Sequence, residues 1–168
     1  MRIADIGSGF GDFAMRFAGA VGADGVVYAV DVDEDLRDAV AEAARRRGLP
    51  QVVPTAASAD DPGIPEPVDL VFVSSVFHHL PDQRRYFERV QPSLRPGGTV
   101  AILEGRRGRF TGWLGHATKP EDVRSTLENA GFRRVASADF VPQKSLQRFA
   151  LAEEPVGMPS PEPASVEP

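Results

Sequence analysis

The segment Asp5-Ile6-Gly7-Ser8-Gly9-Phe10-Gly11 sets an acid two residues ahead of three glycines spaced GxGxG. Glycines where a strand meets a helix permit a tight turn and let the backbone approach a ligand closely. A dinucleotide fingerprint, GxGxxG, would need glycine at position 12, where this chain has Asp12. An acid at the helix entrance also repels a pyrophosphate at short range, so phosphate binding is disfavoured. A second acid, Asp31, stands 20 residues after Gly11 at the tip of the next apolar run. A carboxylate there can accept both hydroxyls of a ribose. Asp33, Glu34 and Asp35 follow it, so a solvated turn acid is the other reading, but the strand-end position favours Asp31 over its neighbours.

The histidines His78, His79 and His116 fall in two loops that follow the fourth and fifth apolar runs. Near pH 7 a neutral imidazole can take a proton from a nucleophile. Because His78 and His79 are adjacent, one is expected to face a cleft while the other packs beneath the loop. No HxH or HxxxH spacing occurs, and no metal is expected. Arg106, Arg107 and Arg109 read either as a grip on an acidic substrate or as a solvated loop. The chain's 17 Arg against 2 Lys favour the solvated loop. Phe77, Phe110 and Trp113 either line an apolar pocket or fold their loops onto the body.

Strands and helices must bring these groups to one edge. Ile3–Ile6 is a short strand, and Phe10, Phe13, Ala14, Phe17, Ala18 and Val21 then repeat with helical period as an inward stripe. Val26–Val30 is a buried strand. Residues 34–47 carry acids in the first turn and Arg45-Arg46-Arg47 in the last, with Gly48-Leu49-Pro50 as the stop. Val52-Val53 starts a weak strand, residues 57–67 form a loop, and Val68–Val73 is a fourth strand. A helix over 82–93 leads through the turn Arg95-Pro96-Gly97-Gly98 into a strand at Thr99–Leu103. Thr118-Lys119-Pro120-Glu121 has capping-box spacing and opens a helix with Val123, Leu127 and Ala130 inward, closed by Gly131. Strands near 133–141 and 145–151 are joined by too few residues for a helix, which suits a hairpin. Such alternation predicts a mainly parallel sheet with helices on both faces and one antiparallel strand.

The 168 residues suit one domain, residues 1–152, followed by a Pro/Glu-rich tail at 153–168 that is expected to be disordered. Of the net charge of −5, four acids lie in the tail, so residues 1–152 carry −1. That near-neutral body argues against a nucleic-acid footprint. The absence of cysteine excludes a disulfide framework, a thiolate nucleophile and a Cys-bound metal. No apolar run is long enough to span a membrane. A soluble, cytoplasmic protein is expected.

In order, DIGSGFG, VVYAVDVDEDL, VDLVFVSSVFHHL and LRPGG resemble the motifs of class I S-adenosylmethionine-dependent methyltransferases, over about residues 1–151. The likeness is strongest to small-molecule enzymes of the ubiquinone/menaquinone C-methyltransferase type. It implies a Rossmann-like, doubly wound α/β fold with seven strands in order 3-2-1-4-5-7-6, strand 7 antiparallel. It also implies S-adenosylmethionine as cofactor and a small-molecule methyl acceptor, with carbon, oxygen and nitrogen acceptors all open. Asp5, Gly7, Ser8, Gly9 and Gly11 would surround the methionine part, Asp31 and Val32 the ribose, and Ser58, Ala59 and Ser74 the rest of the cofactor. His79, followed by His116, is the expected catalytic histidine.

Two departures stand out. Where relatives carry an Asp that holds the adenine amine, this chain has Ser58 and Ala59, so that contact is expected to be weakened or moved to Asp60. Relatives also carry one or two helices before the first strand, whereas MRIADIG reads like the interior of a longer chain. Met1 is therefore expected to be an internal codon, or the gene a fragment. The cofactor cleft should then be open and cofactor binding weak unless a homodimer partner covers it. A non-catalytic methyltransferase-like binding domain is the alternative function.

Overall fold

The computed structural model describes residues 1–105, 118–138 and 144–152. Arg106, Arg107, Arg109, Phe110, Trp113, His116 and the tail at 153–168 lie outside the described residues. The strands are β1 (Arg2–Ile6), β2 (Val26–Asp31), β3 (Val52–Ala56), β4 (Val68–Ser74), β5 (Leu94–Gly105), β6 (Phe132–Ala138) and β7 (Lys144–Leu151). The helices are α1 (Asp12–Val21), α2 (Glu34–Arg47), α3 (Gln83–Val90) and α4 (Pro120–Asn129).

The strands form one seven-stranded sheet in the order β3-β2-β1-β4-β5-β7-β6. From β3 to β5 every pairing is parallel, while β7 runs antiparallel to both β5 and β6. This is the Rossmann-like α/β order the resemblance implied. Alternation along each strand feeds buried clusters on both faces of the sheet. Val27, Ala29 and Val52 point to one face and meet Ala14, Ala18, Val40 and Ala44 of α1 and α2. Ala4, Ile6, Val71, Val73 and Val100 point to the other and meet Phe87, Val90, Val123 and Leu127 of α3 and α4. β3 closes one side of the sheet with Pro54 at its middle. β6 closes the other, with Arg133 and Arg134 exposed and an irregular register between Arg134 and Ala136.

Four expectations are corrected. The first helix begins at Asp12, so Phe10 is not part of an inward stripe; it is 73% exposed, while Ala14, Met15 and Ala18 are buried. Left-handed Gly11 (φ 81°) ends the glycine loop after Phe10 and resets the helical phase. Phe13 and Phe17 do pack inward, on Phe72, with ring centroids 4.8 and 5.0 Å away. The third helix stops at Val90, and Gln91–Ser93 form a 3-10 turn around Pro92.

The fifth strand starts at Leu94 rather than Thr99, running through an irregularity at Gly97-Gly98. A Cβ on Gly98 would sit 2.9 Å from the Arg95 carbonyl and 3.0 Å from that of Val68, so only glycine lets the backbones close up there. The capping box is not made. Lys119 occupies the cap position of α4 with no side-chain bond, because Pro120 takes the first helical place and fixes the start one residue later. Val123, Leu127 and Ala130 do point inward, and Gly131 (φ 82°) closes the helix.

Candidate functional site

In an open parallel sheet the strands' carboxyl edge, where the order reverses, leaves a crevice. Here β1 sits between β2 and β4, and the chain leaves it through the glycine loop. Gly7 and Ser8 both donate to the Val30 carbonyl (2.8 and 3.0 Å), which bends the loop back over β2. Gly7, Gly9 and Gly11 all have left-handed φ, at 65°, 54° and 81°. A Cβ on Gly7 would meet Val76 Cγ2 at 2.3 Å, whereas one on Gly9 would meet nothing within 4 Å among the described residues. One glycine is thus required by packing; the other leaves the loop's outer face clear.

Asp31 ends β2 beneath this loop, 8% exposed. One carboxylate oxygen accepts the Gly9 N–H at 2.9 Å and the other the Asp33 N–H at 3.1 Å, so the group is held from two sides. Asp33 in turn caps α2 through the Asp35 and Leu36 N–H groups. Asp5 lies deeper, 2% exposed, and accepts the Ala14 N–H in the first turn of α1. Its second oxygen is buried without a hydrogen-bond partner among the described residues. Burial, partly offset by the Ala14 N–H and reinforced by the Asp31 charge, lifts the Asp5 carboxyl from an ordinary 3.8 to about 7. The pair therefore favours a cation nearby.

A cavity of about 260 Å³ opens beside Asp31. Ile6, Gly7 and Val30 form its floor, Val32, Ala57, Ser58 and Ala59 one wall, and Val76, His79, Leu80, Pro81 and Tyr86 the other. Of the residues expected from sequence, Gly7, Asp31, Val32, Ser58, Ala59 and His79 meet in this lining. Asp5, Ser8, Gly9, Gly11 and Ser74 do not line it. Asp5 is the buried support below, Gly9 and Gly11 belong to the loop above, and Ser74 ends β4.

The histidines divide the work. Phe77–His79 form a 3-10 turn after β4, and its first residue, Phe77, is fully buried. His79 is exposed at the cavity wall, while the His78 side chain is 14% exposed and faces the sheet. The partner of His78 is Glu104, at the end of β5 and only 1% exposed. It accepts the Phe77 N–H at 2.9 Å and lies 3.2 Å from His78 Nδ1. The two imidazole centroids lie 4.1 Å apart with the rings tilted by 42°. Sequence reading missed Glu104, whose only signal was a carboxylate closing an apolar strand. It also missed Tyr86, whose phenol burial and the Asp61 charge push upward, so that it stays neutral.

A doubly wound sheet with this strand order, an antiparallel β7, a glycine cradle and an acid ending β2 is the framework of the class I S-adenosylmethionine-dependent methyltransferases. The chain belongs to the methyltransferase-domain family, whose profile matches residues 4–100. It is similar to a trans-aconitate 2-methyltransferase of Rhizobium leguminosarum bv. trifolii, 37% identical over 101 residues, which cover 60% of this chain and 37% of that protein. It is also similar to a ubiquinone/menaquinone biosynthesis C-methyltransferase of Bordetella parapertussis, 31% identical over 110 residues, covering 64% of this chain and 42% of the relative. The chain thus spans less than half the length of these two curated relatives. Among solved structures, a SAM-dependent methyltransferase from Aquifex aeolicus superposes with a TM-score of 0.76 at 26% identity, covering 91% of this chain and 82% of the other. No helix among the described residues is long and apolar enough to cross a membrane.

Proposed function

We propose that this chain transfers a methyl group from S-adenosylmethionine to a small-molecule acceptor. The observation that carries the reading is the Asp31 carboxylate, fixed by two backbone N–H groups at the edge of an apolar cavity, beside a glycine loop with open space above Gly9. The residues fit the cofactor. Asp5, buried beneath the cavity with one oxygen lacking a partner among the described residues, biases the site from below toward a ligand that brings an ammonium group rather than a phosphate. The N-terminal end of α1, where a pyrophosphate would bind, already gives its Ala14 N–H to Asp5 and carries Asp12. A nicotinamide dinucleotide fits poorly for the same reason.

Asp31 would accept the ribose hydroxyls, and the backbone of Gly7 and Gly9 would lie along the methionine portion. Val32, Ala59 and Leu80 would flank the base. When bound, S-adenosylmethionine supplies a methyl group already activated on a sulfonium, so the protein contributes chiefly orientation, worth up to roughly 7–11 kcal/mol. His79, exposed at the wall, takes a proton from an acceptor that must lose one. His78, held by Glu104, keeps the 3-10 turn and hence His79 in place.

Phe10 and Val32 stand 73% and 62% exposed, and a second copy of the chain over the mouth belongs to this proposal. Sedimentation should show the dimer fraction rising with S-adenosylhomocysteine; submicromolar affinity in a strict monomer would contradict the cover. Calorimetry tests the main reading. S-adenosylhomocysteine should bind, Asp31→Ala should weaken it at least tenfold, and NAD should not bind. Tight NAD binding with no response to S-adenosylhomocysteine would overturn it.

A further inference from the structure

The wall that would face the purine is built by the loop after β3, and its polar groups are already committed. Ser58 Oγ accepts the Asp60 N–H at 3.3 Å and the Asp61 N–H at 3.0 Å, while the Ser58 N–H donates to the Asp61 carbonyl at 3.0 Å. A serine hydroxyl has two acceptor sites and one O–H. With both acceptor sites taken, what Ser58 can offer a ligand is the hydrogen. The carboxylates of this loop look elsewhere. Asp60 is exposed, its carbonyl bound by Arg89 of α3 and its carboxylate 3.8 Å from the same guanidinium. Asp61 accepts the Gly63 N–H at 2.9 Å. Among the described residues Asp31 is the one carboxylate in the cavity lining, and it stands at the ribose position, on the neighbouring strand.

We infer that Ser58 makes this cavity read the purine edge with a donor instead of an acceptor, so that the site does not select for a 6-amino group. The inference rests on the nucleoside reading above and specifies its base recognition. A carboxylate at this wall would accept from an exocyclic amine and repel a 6-oxo group. A hydroxyl confined to donating meets a ring nitrogen of adenine or the O6 of hypoxanthine equally well. On this inference the adenine contact is weakened rather than moved to Asp60, whose carboxylate Arg89 faces.

Titration calorimetry of the full chain with S-adenosylhomocysteine and with S-inosylhomocysteine tests this. The two should bind within fivefold of each other. In Ser58→Asp the carboxylate can still accept the Asp60 and Asp61 N–H groups, which keeps the turn. Its remaining acceptor capacity should favour the adenosyl ligand by tenfold or more. If wild-type protein binds S-adenosylhomocysteine but the inosyl ligand more than fivefold weaker, the inference fails while the nucleoside reading stands. If Ser58→Asp leaves the ratio unchanged, Ser58 does not read the base. If neither ligand binds, both readings fall together.

Discussion

At the scale of single residues, Asp5 couples stability to pH. Its carboxyl titrates near 7 in the folded chain against an ordinary 3.8. Between those values the folded state keeps a proton that the unfolded chain has released. Its contribution to stability is therefore largest below pH 4, falls by up to about 1.4 kcal/mol per pH unit toward 7, and then levels off. Asp5→Asn should remove that slope and make the free protein more stable at pH 8, while weakening S-adenosylhomocysteine. Urea denaturation at pH 5.5 and 8 with parallel calorimetry checks both; an unchanged slope would show that another group carries it. Gly7 and Gly9 allow a sharper comparison. Gly7→Ala meets Val76 at 2.3 Å as well as a positive φ and should cost more than about 2 kcal/mol. Gly9→Ala has open space and should cost about 1 kcal/mol yet still lower ligand affinity, because the methyl would occupy the cradle. Asp31 was legible because it ends an apolar strand, and the glycine loop because it follows one; Asp5 lies inside β1, below the cavity lining rather than in it. The hydrogen bonding of the Ser58 hydroxyl was not legible. It depends on which amides the loop brings to it, and composition carries no record of that.

At the scale of elements, the link between β5 and the turn after β4 decides the shape of the site. Glu104 is buried and holds both the Phe77 N–H and His78. Glu104→Ala would leave both without that acceptor and should destabilise the chain by on the order of 3 kcal/mol, measured by chemical denaturation. Glu104→Gln retains an acceptor for Phe77 and should recover a large part of the loss. His79→Ala, at the exposed wall, should leave stability and S-adenosylhomocysteine affinity nearly unchanged while lowering kcat. A fall in affinity instead would make it a binding residue. The sequence placed His78 and His79 in one loop, and their adjacency led to the expectation that only one would face a cleft. Which one faced inward depended on a carboxylate 26 residues away across the sheet, and local pattern cannot report that. Element ends went astray for local reasons: Gly11 reset the phase of α1, Pro120 displaced the cap of α4, and Gly97-Gly98 let β5 begin early.

At the scale of the whole molecule, ligand binding and folding are one equilibrium. A ligand at 100 times its dissociation constant should add about 2.7 kcal/mol, a shift of roughly 5–11 °C in Tm for a domain of this size. Thermal shift with S-adenosylhomocysteine and with NAD reads this directly, and only the first should respond. Strand order was legible because the ordered motifs fix a known winding, and the two-face alternation of β1, β2 and β4 follows from their apolar runs.

The two outer strands carry a further consequence. Rows of main-chain groups left without neighbours can recruit strands from other molecules and seed aggregates. β3 interrupts its row with Pro54, which has no amide hydrogen, and β6 interrupts its own with Arg133, Arg134 and an irregular register. The sheet is thus guarded at both borders against growing beyond seven strands. Replacing Pro54 with Val would restore one uninterrupted border, and colloidal solubility should suffer before the folded core does.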